Sequence, residues 1–256
     1  MARVVEHRAM QYRRTFRSSL FSSFLSPLMF LGAMGIGLGT YVDRSGNDLL
    51  GGISYLAFLA PGLLAATVMQ SAAFEATFPI VGGLTWSRTF HAMYAAPIRP
   101  RDIALGNLAW IAVRVTLIAI VFTAVMTVVG AASSPLVVLA IPAAVLTGMA
   151  FAAPIAAFSA TQRTMEKFSA LFRFGITPLF LFSGTFFPIE SLPTFLQPVA
   201  WISPLYHGVA LTRGLALGTA PAEPLEMIVH VVVLCAIVVA GAVATAITVE
   251  RRLVRG

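Results

Sequence analysis

Long apolar stretches, each ended by a short cluster of charges, prolines or glycines, alternate along this chain of 256 residues. Apolar runs cover about 19–42, 52–80, 103–129, 135–160, 170–187 and 226–248. A helix needs roughly 20 apolar residues to cross a hydrocarbon core of about 30 Å. The pattern therefore predicts an all-α integral membrane protein with six transmembrane helices. The chain reads as a single transmembrane domain over 1–256. Residues 1–18 form an interfacial helix, 19–187 hold spans one to five, 188–224 form an external segment, and 225–256 hold the sixth span and a tail.

The polar breaks carry the rest of the reading. Near the N-terminus Val5, Ala9, Tyr12, Phe16 and Leu20 fall on one helical stripe, with Arg3, Arg14 and Arg17 on the other side. That is the pattern of an amphipathic helix lying on a membrane surface, although a plain basic tail has the same composition. The apolar run that follows exceeds a signal-peptide core, so it reads as a retained helix. Gly35 and Gly39 in the first span have the spacing that lets helix backbones approach closely in lipid. Between the second and third spans, residues 82–106 are polar enough to leave the membrane, and Thr85–Ala95 is expected to form a short helix stopped before Pro97. Such a helix can transmit force from a soluble partner; a connecting loop would look the same by composition. Residues 188–224 hold Pro188, Pro193, Pro198 and Pro204 among apolar side chains. That is too broken to span and too apolar for a free loop, and it fits short helices that dip into the membrane and return. In the sixth span Ala236, Ala240 and Ala244 form a small-residue stripe suited to helix contact.

Composition agrees with the pattern. Hydrophobic residues make up 58% and charged residues 11%, against about a quarter charged in soluble domains; mean hydropathy is +0.88. The formal charge of +7 does not point to nucleic acid, because the basic residues recur between apolar runs. Of the 17 Lys and Arg, only Arg44 and Arg213 fall on one side of the expected membrane and Arg114 falls within a span. All others lie at the two termini, in 82–106 or in 161–173, which are therefore expected to be cytoplasmic. The single cysteine, Cys235, allows no disulfide within the chain and no cysteine metal site.

Little catalytic chemistry is visible, and no catalytic or metal-binding residue is expected. The only lysine, Lys167, is not in a glycine-rich phosphate loop, and no His-Glu-x-x-His pair exists. Charged or titratable groups at membrane depth are costly and are usually paired or functional. Glu75, Arg114 and His207 are the candidates, with Glu75 alternatively at the interface. His230 reads as a proton relay or, more simply, a helix-packing hydrogen bond.

Three stretches carry a family resemblance. They are Phe74-Glu75-Ala76-Thr77; Thr85-Trp86 through Ala95-Ala96-Pro97-Ile98 with Asp102-Ile103-Ala104-Leu105-Gly106; and Phe182-Ser183-Gly184-Thr185-Phe186-Phe187-Pro188 with Leu192-Pro193, Leu196 and Pro204-Leu205-Tyr206-His207. The chain resembles the ABC-2 type permeases of ATP-binding-cassette transporters, nearest to the nodulation lipo-oligosaccharide exporters and their daunorubicin-resistance relatives. The resemblance implies a bacterial cytoplasmic-membrane exporter subunit with both termini inside, a cytoplasmic coupling helix and re-entrant external helices. It implies a second permease copy, separate ATPase subunits that bind ATP and Mg, contact with membrane lipids, no cofactor on this chain, and an amphiphilic substrate (a lipo-oligosaccharide, lipid-linked sugar or hydrophobic drug). Trp86, Arg88, Thr89 and His91 are then the expected contacts to the ATPase, with Arg99 and Arg101 beside them. Where the subgroup commonly has an acidic residue after the glycine opening the third span, this chain has Asn107. A membrane-embedded lipid-modifying enzyme using Glu75, Arg114 or His207, and a non-transporting scaffold, are the competing readings.

Overall fold

A computed structural model describes residues 1, 3–10, 29–44, 52–96, 98–219 and 224–255, and the regular structure in them is helical throughout. Helix α1 covers residues 3–10. The rest of the N-terminal stripe, from Tyr12 onward, and the first part of the first expected span lie outside the described residues. The helical run 29–44, α2, is wound as a π-helix over Leu31–Leu38 and as an α-helix over Gly39–Arg44. It is followed by α3 (Tyr55–Thr85), α4 (Thr89–Ala95), α5 (Pro100–Val128) and α6 (Pro135–Thr161). Helix α7 covers 166–182, with π-helical turns over Leu171–Ile176. Then come α8 (Gln197–Ile202), α9 (Pro204–Leu217) and α10 (Pro224–Arg255).

Four of these, α3, α5, α6 and α10, are long and apolar enough to cross a membrane. The first and fifth expected crossings correspond to α2 and α7, which are shorter in the described residues. The fifth was expected over about 170–187. Instead α7 begins at Glu166 and ends at Phe182, where Gly184, in a left-handed conformation (φ +78°), turns the chain. The expected Thr85–Ala95 helix is likewise shorter. Thr85 still belongs to α3, Trp86 caps it through an N–H to the Gly82 carbonyl, and the new helix starts at Thr89.

Helix α3 is the hub. In its most apolar window 78% of residues are buried, against 17% in α10, whose outer face is left for lipid. Its N-terminus is capped twice: the Ser54 hydroxyl accepts the Ala57 N–H at 3.3 Å, and the Asp43 carboxylate accepts the Tyr55 N–H at 3.0 Å, satisfying donors that have no partner within the helix. Close approach relies on small residues. A Cβ on Gly148 of α6 would lie 2.8 Å from Val68, and one on Gly241 of α10 would lie 2.7 Å from Pro154 of α6. Gly39 of α2 faces Tyr55 and Gly35 faces Leu56, so those two glycines do serve a helix contact. Two hydroxyls add interhelical hydrogen bonds: Thr212 to the Pro61 carbonyl and Thr245 to the Ala153 carbonyl, at 2.9 and 2.8 Å.

Two expected faces are corrected. The packed side of α10 is Leu234, Gly241, Thr245 and Val249, while Ala236 and Ala240 are exposed. Gly241 and Thr245 win that face because only there do backbone contact and a hydrogen bond coincide. In α1 the side against the protein is Val4 and Arg8, not Val5 and Ala9; Val4 fills the notch left by Gly106 of α5.

The ends of the bundle segregate. At one end the Tyr55 hydroxyl bonds the Phe186 carbonyl, and the Ser133 and Ser134 N–H groups bond the Ala216 carbonyl. At the other, α1 meets the start of α5 through Arg8 and Asn107, and α10 meets it through Glu250 and Arg101. With 31 residues at 1.5 Å each, α3 separates these ends by about 46 Å. The described N-terminal and C-terminal helices thus share one end, which requires an even number of crossings.

Replacing Gly241 by valine forces α10 off α6 and is expected to destabilise by about 1–3 kcal/mol. Ala240→Val, one residue away on the exposed face, should stay within about 0.5 kcal/mol. Thermal unfolding of the detergent-solubilised variants compares the two, and equal midpoints would contradict the close packing.

Candidate functional site

The polar side chains that the spans enclose form a connected set running from α1 to the middle of the bundle. It begins where α3 ends. The Thr85 hydroxyl bonds back to the Val81 carbonyl at 2.6 Å, and the Ser87 N–H and hydroxyl both go to the Gly82 carbonyl. Arg88 then takes a left-handed conformation (φ 48°), unusual for a residue with a side chain, and this turn launches α4. The one fully buried residue of α4 is Phe90, which sits where a Cβ on Gly83 would stand 2.7 Å from its ring. The remaining surface of the turn faces outward. Trp86 is 66% exposed, Arg88 is exposed, and Thr89 and His91 are half-buried.

The six residues expected to couple to a partner therefore do gather at one end of the bundle, in two subsets. Trp86, Arg88, Thr89 and His91 surround the α3–α4 turn. Arg99 is exposed at the start of α5, and Arg101 is engaged by Glu250 of α10 at 3.1 Å.

Arg8 ties α4 inward. Its Nε donates to Asn107 Oδ1 at 3.0 Å, and Asn107 in turn donates to the Ile103 carbonyl at 2.8 Å. Its guanidinium also lies 5.7 Å from the centre of the Phe90 ring, within cation–π range. Burial pushes the Arg8 guanidinium below its ordinary pKa, while the negative charge of Glu75 opposes that shift. One arginine thus touches α4 and α5 and feels a carboxylate of α3. No sequence pattern singled it out: it borders the expected apolar stripe as one of five arginines in the N-terminal segment.

Glu75 itself is held by Arg114 of α5 in an ion pair. Arg114 stands fourteen residues from each end of α5, about 21 Å along the axis, so the pair lies well inside the bundle. Both side chains are largely buried, at 13% and 15% exposure. They line a cavity of about 640 Å³ whose other walls include Gln70, Ser71, Phe74 and Phe180. A paired carboxylate of this kind is a hydrogen-bond and charge anchor.

His207 does not join them. Its Nδ1 meets Nδ1 of His230 at 2.7 Å, and Tyr206 packs edge-on against both rings. The contact ties α9 to α10, so the helix-packing hydrogen bond is what His230 makes. Arg213, counted in sequence as an external charge, is a buried staple. Its Nε donates to the Phe58 carbonyl at 3.1 Å, its Nη2 to the Gly184 carbonyl at 2.8 Å, and its guanidinium stacks 3.7 Å from the centre of the Phe58 ring. Its only sequence signal was a lone arginine in an otherwise uncharged stretch. Among the described residues no group of three His, Cys, Asp or Glu is arranged to hold a metal ion.

A sequence model of the family described as ABC-2 type transporter matches residues 4–217. Nodulation protein J of Rhizobium leguminosarum bv. trifolii is 32% identical over 244 residues, covering 95% of this chain and 90% of that one. Nodulation protein J of Bradyrhizobium diazoefficiens is 31% identical over 244 residues, covering 95% and 90%. Nodulation protein J of Rhizobium meliloti is 30% identical over 243 residues, covering 94% and 89%. No solved structure matches the chain.

Removing either partner of the Glu75–Arg114 pair takes the contacting counter-charge from a largely buried ion, a change that costs about 3–5 kcal/mol in buried pairs, whereas replacing both by apolar residues is near neutral. Glu75→Leu and Arg114→Met should each lower the unfolding midpoint sharply and the double variant should recover most of it. Additive losses in a double-mutant cycle would contradict a direct pair.

Proposed function

The chain belongs to the ABC-2 type transporter family, and on that premise we propose that it is the permease subunit of an ATP-driven exporter with six crossings and both termini in the cytoplasm of a bacterial inner membrane. Two copies, identical or paralogous, would enclose the path, and separate ATPase subunits would bind ATP and Mg. In this reading the permease is not the catalytic subunit, and Glu75, the one carboxylate among the candidates, serves as the ion-pair partner of Arg114.

The observation that carries this reading is the wiring of α4. A short exposed helix hangs from α3 by the buried Phe90, and Arg8 links that ring to Asn107 of α5. Displacement of α4 by a docked partner therefore pulls on the ends of two spans at once. The same two spans carry Glu75 and Arg114, so the motion reaches the walls of the internal cavity. A partner shifts such an equilibrium only by binding one arrangement more tightly than the other; closure of the ATPases on ATP would supply that difference. The cavity sets a polar wall (Gln70, Ser71, Glu75, Arg114) beside aromatic rings (Phe74, Phe172, Phe180). That combination suits an amphiphile, such as a lipid-linked or lipo-oligosaccharide or a hydrophobic drug, better than a bare ion.

Co-reconstitution of the permease with its ATPase in liposomes tests the reading. Trp86→Ala with Tyr94→Ala, both exposed on the outward side of the α3–α4 turn and α4, should cut permease-stimulated ATP hydrolysis at least about fivefold, the effect of ~1 kcal/mol lost at an interface, with the activity of the isolated ATPase untouched. Arg8→Gln acts one step further in: ATPase binding persists, but hydrolysis and transport uncouple. Unchanged transport in both variants would remove α4 from the coupling path, and a permease that never associates with an ATPase would end the proposal.

A further inference from the structure

Three guanidiniums and one imidazole converge on a single hollow at the end of the bundle that the charge bias assigns to the cytoplasm. The hollow has a volume of about 560 Å³ and is lined by Leu84, Thr85, Arg88, His91, Arg163 and Arg252. These residues come from the last turn of α3, the α3–α4 turn, α4, the link after α6 and the end of α10. No carboxylate is among them, and among the described residues none of the three arginines has an ion pair. Arg101, on the same end, does have one, with Glu250. Nδ1 of His91 is buried and lacks a hydrogen-bond partner among the described residues. Buried polar atoms in native proteins are nearly always satisfied, so an orphan beside three unpaired cations points to an anion.

The depth of the hollow narrows the source. Leu84 and Thr85 close α3, Arg163 follows the end of α6 at Thr161, and Arg252 follows the uncharged stretch of α10 that ends at Val249. With the apolar stretches of α3, α6 and α10 in the hydrocarbon, the hollow falls at the level of the headgroups. Basic pockets between spans at the cytoplasmic side suit phosphate-bearing headgroups, and the guanidinium fork matches phosphate oxygens two at a time. An acidic surface of a soluble partner would instead meet the outward side of the α3–α4 turn and α4, where Trp86 and Tyr94 are exposed.

We propose that this hollow binds the phosphate of an anionic phospholipid from the inner leaflet, gripped by Arg88, Arg163 and Arg252 with His91 Nδ1 beside it. The bound headgroup bridges the α3–α4 turn to α10. It thereby holds α4 at a defined height on the membrane, whatever the permease transports.

The test uses the full chain in nanodiscs of phosphatidylcholine mixed with phosphatidylglycerol, followed by native mass spectrometry of the lipid retained per chain. Wild type should retain phosphatidylglycerol in preference to phosphatidylcholine. Arg163→Gln with Arg252→Gln should lower that retention about tenfold, given the strength of each basic side chain's attraction to anionic headgroups. Arg251→Gln with Arg255→Gln removes an equal charge from exposed neighbours of Arg252 and should change nothing; equal losses in the two double variants would reduce the effect to general surface charge and overturn the site. Displacement of the retained lipid by millimolar inorganic phosphate would assign the hollow to the free ion and overturn the lipid assignment. Retention that survives Arg163→Gln with Arg252→Gln while association with the ATPase is lost would assign the hollow to a partner's acidic residues, and the lipid proposal would fall while the transport reading stood.

Discussion

A charge enclosed by apolar helices has to be answered from within the protein, and in this bundle the answer is the Glu75–Arg114 pair. Neither group could be kept there alone, because desolvating an isolated ion costs several kcal/mol. The pair therefore fixes which face of α3 meets which face of α5, and with them the register of the two helices. Its influence extends past the contact. The Glu75 charge supports a second, buried arginine, Arg8, which belongs to α1 and meets α4 and α5 directly. Two cations from different elements thus lean on one anion, and elements that share few apolar contacts become electrically interdependent.

The opposite end of the bundle meets the same constraint without an acid in contact. Arg213 is enclosed and answered by two main-chain carbonyls and an aromatic face. One carbonyl belongs to Gly184, whose left-handed conformation (φ +78°) aims it there. The Ser-Gly-x-Phe-Phe-Pro stretch reads as a motif in sequence; in three dimensions its glycine presents an acceptor and its first phenylalanine, Phe186, presents another to Tyr55. Ser183 donates to Ser203 at 2.9 Å and closes the stretch against the start of α9. The irregular backbone is tolerated at this position because each of these groups is covered by protein.

Apolar periodicity and length sufficed for α3, α5, α6 and α10, because a long uncharged run has one stable arrangement in lipid. They failed at boundaries set by single side chains. Thr85 looked like the start of a new helix, but its hydroxyl back-bonds into α3 and the break falls at Arg88 instead. The alanine stripe of α10 looked like a contact surface, but small size alone does not choose a face when Gly241 and Thr245 offer closer approach and a hydrogen bond. For the site, Glu75 and Arg114 were each visible as isolated charges in apolar runs. Their pairing was not, since it joins positions 39 apart on different helices and depends on tertiary register. Arg8 was least legible of all: in a basic N-terminal segment, one arginine among five gives no sign that it turns inward.

Pro79 makes the arrangement mechanically suggestive. It lies within α3 between Glu75 and the Gly83 notch that holds Phe90. Proline has no N–H to offer the residue four positions earlier, so the main-chain carbonyl of Glu75 loses its usual helical donor, and the helix is weakened at that turn. The segment from Pro79 to Thr85 is clamped to α4, whereas the segment above it is clamped to α5 by the ion pair. A pull on α4 is then concentrated at the proline, which sits one turn from the carboxylate. Bending there changes the angle at which Glu75 faces Arg114 without requiring the rest of α3, packed along α6 and α9, to slide. The side chain that anchors the bundle's interior is thus placed beside a turn able to yield, and the cavity wall it shares with Arg114 is the first surface such a bend would reshape.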